Sequence, residues 1–173
     1  YSLSKPFDIS TATISFSGGA PKGTALTCDG AGDDDHMELP HAIEFKPDGT
    51  RMFITSNQNF SENPDVAVYQ FKLTTPWDST TLVCEKIYEV DVDGGGDEDQ
   101  VRTLDFNPDG TRMFVGGRDE DKIRQFDLAT PFDLRSGVTP GGISDSLASA
   151  DEEMRNIQFN PDGTQLFLAG DEN

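Results

Sequence analysis

Residues 45–53 read Phe-Lys-Pro-Asp-Gly-Thr-Arg-Met-Phe, and this stretch decides the fold. It returns as Phe-Asn-Pro-Asp-Gly-Thr-Arg-Met-Phe at 106–114 and as Phe-Asn-Pro-Asp-Gly-Thr-Gln-Leu-Phe at 159–167. The equivalent prolines Pro47, Pro108 and Pro161 stand 61 and 53 residues apart, which marks a repeat architecture. Each Pro-Asp-Gly-Thr is a turn with a mechanism. Proline pre-sets φ, aspartate suits the next position, and glycine supplies the left-handed residue that lets a type I turn close a hairpin with a bulge.

Outward from the turn, the preceding residues alternate: Ile43 and Phe45, Leu104 and Phe106, Ile157 and Phe159. The following residues form unbroken apolar runs, Met52-Phe53-Ile54, Met113-Phe114-Val115 and Leu166-Phe167-Leu168, which predicts strands buried on both faces. A hairpin of this kind is not stable alone and needs neighbours to cover it.

A second block repeats downstream. Tyr69-Gln70-Phe71-Lys72-Leu73 leads into Thr75-Pro76-Trp77-Asp78, and Arg124-Gln125-Phe126-Asp127-Leu128 leads into Thr130-Pro131-Phe132-Asp133. The chain opens with Tyr1-Ser2-Leu3 and then Lys5-Pro6-Phe7-Asp8. Fourth strands are expected at Ala12 to Ser17, Leu82 to Val90 and Val138 to Ile143. The fold class predicted is all-β, a β-propeller of four-stranded antiparallel blades, with about three blades in this chain. Residues 1–173 read as one propeller module: the end of a blade at about 1–20, repeats at about 37–92 and 98–143, and the start of a blade at about 151–173. The corner aromatics Phe7, Trp77 and Phe132 are expected to pack between blades rather than to stack on a sugar.

The Phe-x-Pro-Asp-Gly-Thr hairpin resembles the blade signature of the YVTN, lactonase-like and TolB-like (PD40) propeller repeats, over nearly the whole chain. The resemblance implies a propeller fold. It names no function, because that broad group includes hydrolases, scaffolds, sugar binders and surface-layer proteins. The signature residues build the blade, so no catalytic residue follows from them. The combined Gly-His and Trp-Asp pair of WD40 blades is absent.

Three blades are fewer than the usual ring of four to eight. The chain also starts partway along a third strand and stops after a second one. It is therefore expected either to be a piece of a longer propeller or to be completed by other chains, as a dimer or a filament.

Lys plus Arg number 13 against 32 Asp plus Glu, a formal charge of −19. That balance argues against a nucleic-acid partner and an anionic membrane surface, and favours cations, basic partners or a solvated acidic exterior. No apolar run approaches the ~18 residues of a membrane-spanning helix, so no membrane insertion is expected. Composition suits an extracellular, cell-surface or virion-surface protein. Cys28 and Cys84 fall 19 and 24 residues before Pro47 and Pro108, and outside the cell they are a candidate disulfide between neighbouring blades. Asn59-Phe60-Ser61 is a candidate glycosylation sequon on a polar loop.

An acidic loop precedes each first strand. Asp91, Asp93, Asp97 and Asp99 match an EF-hand-like calcium loop at four ligand positions, with Gly96 at the turn. Position five is Gly95, and position twelve is Arg102 where glutamate is expected. Asp29, Asp33 and Asp35 are a weaker calcium candidate. His41, Arg102 and Arg155 each stand four residues before the strand phenylalanine, near Glu38, Asp99 and Glu152. They are expected to form a charged ring at the channel mouth, either as local salt bridges or as a site for an anionic or carbohydrate ligand.

The functional expectation is an extracellular structural or binding module that acts by assembly or adhesion, without catalysis. The alternatives are a carbohydrate-binding propeller and a lactonase-like metal-dependent hydrolase at the channel mouth, with carboxylates and His36 or His41 on the metal.

Overall fold

The computed structural model describes residues 2–13, 39–57, 66–90, 101–117, 122–145, 147 and 153–171. Twelve strands are found among them. They are β1 (Ser2–Leu3), β2 (Ala12–Thr13), β3 (Leu39–Phe45), β4 (Arg51–Asn57), β5 (Val66–Leu73) and β6 (Leu82–Glu89). They continue with β7 (Val101–Phe106), β8 (Arg112–Gly117), β9 (Ile123–Leu128), β10 (Val138–Ile143), β11 (Glu153–Phe159) and β12 (Leu166–Asp171). Short 3-10 turns at Ile9–Thr11 and Ser79–Thr81 are the helical elements among the described residues. No described helix is long and apolar enough to cross a membrane.

β3-β4-β5-β6 and β7-β8-β9-β10 are two four-stranded antiparallel sheets in sequential order, and β11-β12 and β1-β2 are two-stranded. The fold is all-β and propeller-like, partial and not closed. The three Pro-Asp-Gly turns are built alike. Gly49, Gly110 and Gly163 have φ of 71°, 71° and 70°, and their N–H groups donate to Lys46, Asn107 and Asn160 carbonyls at 2.8, 2.9 and 2.9 Å. Each turn aspartate accepts from the backbone and hydroxyl of the threonine two residues on, which locks the reversal.

The core lies between the two complete blades. Phe53, Val66 and Val68 of the first face Val101, Leu104, Met113, Val115, Phe126, Leu128, Phe132 and Leu134 of the second. Phe106 links them, with its ring centroid 4.7 Å from Phe53 and 5.3 Å from Phe132. The opposite face of the first blade gathers Met52, Ala67, Tyr69, Phe71 and Leu73. β5 is buried at every residue but Lys72, as expected of an inner strand with both faces covered.

The buried-run expectation holds for Met52-Phe53 and fails at Leu166-Phe167, where both side chains are exposed. The physical reason is the sheet: β12 is paired only with β11, and no described strand lies along its other edge.

Candidate functional sites

The Pro-aromatic-Asp corner recurs in three places with one geometry. Phe7, Trp77 and Phe132 all hold positive φ, at 59°, 65° and 54°. Bulky aromatics rarely adopt that region, and holding them there costs about 1–3 kcal/mol each. Each corner is stitched locally: Asp8, Asp78 and Asp133 donate their N–H to Lys5, Thr75 and Thr130 carbonyls. Their carboxylates accept the N–H of Ser10, Thr80 and Arg135.

In the complete blades the corner seats on the turn glycine. Trp77 and Phe132 donate their N–H to Gly49 and Gly110 carbonyls at 3.0 and 2.9 Å. A methyl on Gly110 would fall 2.0 Å from the Phe132 ring, so only glycine permits the approach. Gly163 has nothing within 4 Å of the same position. Phe7 is correspondingly fully exposed (102 %), whereas Phe132 is 7 % exposed.

The second-blade corner is also clamped from the first blade. Arg51 donates to the Phe132 carbonyl (2.9 Å), to Asp133 Oδ2 (3.1 Å) and to Glu85 Oε2 (3.1 Å). Gln70, fully buried on β5, accepts the Leu134 N–H at 2.6 Å and donates to Glu85 at 2.7 Å. Arg135 closes the network on Asp133 and Glu85. Glu85 sits in a bulge between Cys84 and Lys86, which turns its carboxylate inward. Hydrogen bonds from Arg135, with further ones from Gln70 and the charge of Arg51, hold the Asp133 carboxyl far below the usual carboxylate range against the effect of burial.

The first strands form a second cluster. β7 touches both β3 and β11, so the three lie side by side where a propeller's channel wall would be. All three carry a bulge at the same register. Val101 and Thr103 oppose neighbours Gly117 and Gly116, leaving Arg102 extra, and Met154 and Asn156 leave Arg155 extra in the same way. On β3 the irregularity spans His41 and Ala42. Burial, then the charges of Arg102 and Arg155, lower the His41 pKa from its ordinary value, so the three basic groups stand within electrostatic reach of one another. Both arginines have further interactions within the chain. Three residues along stand Glu44 and Asp105, where burial, then the charge of Asp105, raise the Glu44 pKa. Asp105 accepts the N–H groups of Phe106 (2.8 Å) and Phe159 (2.9 Å), tying β7 to β11.

Asp29, Asp33, Asp35, Asp91, Asp93, Asp97, Asp99, Cys28, His36 and Asn59 lie outside the described residues. Cys84 is disulfide-bonded on β6. Among the described residues no three His, Cys, Asp or Glu side chains come together to hold a metal ion. The corner expectation divides three ways: Phe132 packs between blades, Trp77 covers Gly49 and lies 5.1 Å from Phe45 but stays 60 % exposed, and Phe7 packs on nothing. Sequence reasoning missed the Arg51–Gln70–Glu85–Asp133 clamp. Its one signal was the recurrence of Arg51 with Arg112 and of Gln70 with Gln125 at matched places in the repeats.

No protein-family model and no curated protein matches the chain. Among solved structures it is similar to the Kuenenia stuttgartiensis hydrazine synthase, at 13 % identity and a TM-score of 0.55, over 78 % of this chain and 43 % of that one. The chain thus spans less than half of that protein, and the likeness is one of fold.

Proposed function

We propose that this is a non-catalytic β-propeller module of the YVTN, lactonase-like and TolB-like kind, working at an extracellular, cell or virion surface by assembly or adhesion. One observation carries the reading. A single blade pattern is divided between two places, with first and second strands in β11-β12 and the third- and fourth-strand pattern in β1-β2. The corner that completes a blade elsewhere is formed here but unseated. Strand donation between chains is an established way to satisfy such an edge. Calcium in the 91–99 loop and a glycan at Asn59 would suit the same surface role. Native mass spectrometry of the 173-residue chain tests the reading: dimers or longer polymers at micromolar concentration are expected, and a monomer throughout would overturn it.

The convergence of His41, Arg102 and Arg155 favours a second reading, a carbohydrate ligand bearing a carboxylate or sulfate. Titration with glucuronate or a sulfated sugar tests it, and no binding at millimolar concentration would set it aside.

A further inference from the structure

The interface between the two complete blades contains a full description of one that is unfilled among the described residues. Its receiving side is Arg51, Gln70 and Gly110, and its entering side is Phe132-Asp133-Leu134. One repeat further on, the receiving positions are Arg112, Gln125 and Gly163, by the same place in turn and strand. The matching entering side is Phe7-Asp8-Ile9, which follows Pro6 as Phe132 follows Pro131. Leu134 is 2 % exposed in its seat, whereas Ile9 is 81 % exposed. A groove of about 300 Å³ lies where the seat should be, lined by Phe114, Gln125, Ile143, Phe159 and Leu166 among others. Phe114 and Phe159, 4.4 Å apart, repeat the Phe53 and Phe106 pair against which Phe132 packs.

We propose that this groove takes the Phe7-Asp8-Ile9 corner of a second copy of the chain. The proposal rests on the assembly reading and specifies its contacts. Phe7 lays its ring over Gly163 and donates its N–H to the Gly163 carbonyl. Arg112 donates to the Phe7 carbonyl and to Asp8. Ile9 fills the apolar groove and donates its N–H to Gln125. Leu3 donates to the Thr164 carbonyl, as Leu73 and Leu128 do to Thr50 and Thr111 at 2.9 and 2.8 Å. The corner is already in its docked shape, down to the left-handed φ of Phe7, so little ordering cost remains at binding. Two copies that exchange corners make a six-bladed ring closed by a twofold axis, within the range that propellers adopt.

The test uses charge exchange at moderate salt, which screens the mutual repulsion of two chains of charge −19. D8R and R112D each place like charges at both interfaces of a homodimer, and each should weaken dimerisation about 30-fold or more. In a mixture of the two variants, one interface has the native pair and the other the exchanged pair. Native mass spectrometry should therefore find the D8R–R112D heterodimer in large excess over either homodimer. A wild-type chain that never dimerises would overturn the assembly reading itself. A wild-type dimer with both variants dimerising unchanged would leave assembly standing and overturn this interface. Dimers lost in both variants and not regained on mixing would also overturn it, provided each variant retains wild-type circular dichroism.

Discussion

Phe132 sits on Gly110: its N–H reaches the glycine carbonyl at 2.9 Å, and its ring occupies the space a side chain would need there. The unfavourable left-handed backbone of Phe132 is thereby held against a glycine that adopts its own left-handed state freely. Gly110→Ala combines the φ penalty with a steric overlap against a packed ring. It should lower stability by about 2–4 kcal/mol in urea denaturation. Gly163→Ala, with the same φ and empty space around it, should cost about 1 kcal/mol in the monomer. Equal losses at the two sites would show that the ring contact contributes nothing.

The clamp that receives the corner should be sensitive to acid. Asp133 titrates in the folded chain below its unfolded value of about 3.9. Its contribution is therefore complete above about pH 4 and is lost as the pH falls through the depressed native value. Asp48, lowered to about 2 by Lys46 and Thr50, acts in the same direction, though it is exposed and its share is small. Asp133→Asn should be less stable than wild type at pH 7, and the gap should narrow steadily below pH 4. A gap independent of pH would mean that the carboxylate charge is not what Arg51 and Arg135 hold.

Gln70 joins the blades without a charge. Replacing it with Ala leaves the buried Leu134 N–H without its acceptor and Glu85 short of a donor, for a loss of about 1–3 kcal/mol. Gln125→Ala, which removes the side chain's hydrogen bond to Asp127 within its own strand, should cost far less in the monomer. The ratio of the two losses in chemical denaturation measures how far the second seat is filled.

Blade architecture was legible because it is written in local chemistry. Pro-Asp-Gly-Thr fixes a turn within four residues, and the corner fixes another, so their spacing alone gives the hairpins and the expected β10 at Val138–Ile143. The clamp was not legible, since Arg51 and Asp133 are 82 residues apart and meet only when two sheets stack. The bulges were hidden for a related reason. An extra residue on β7 or β11 leaves no mark in composition, and only pairing with β8 or β12 shows that Arg102 and Arg155 are the residues displaced. Exposure of Leu166 and Phe167 ran against their apolar pattern, because burial depends on a neighbouring strand that sequence cannot supply.

The basic residues on the first strands give the last prediction. His41 binds its proton less readily than a free histidine because burial and two arginines oppose the charge. Its native pKa lies below the unfolded value near 6.5, so it opposes folding at low pH, and that penalty fades as the pH rises through the unfolded value. Arg102→Gln removes one opposing charge and should raise the His41 pKa, read from imidazole proton shifts with His36→Asn used to assign the signal. An oxyanion held by the three groups acts in the same direction and more strongly. A close opposite charge favours the protonated form, so saturating sulfate should raise the His41 pKa. If sulfate leaves that pKa where chloride at equal ionic strength leaves it, the first-strand cluster does not bind anions, and its role is confined to the channel wall.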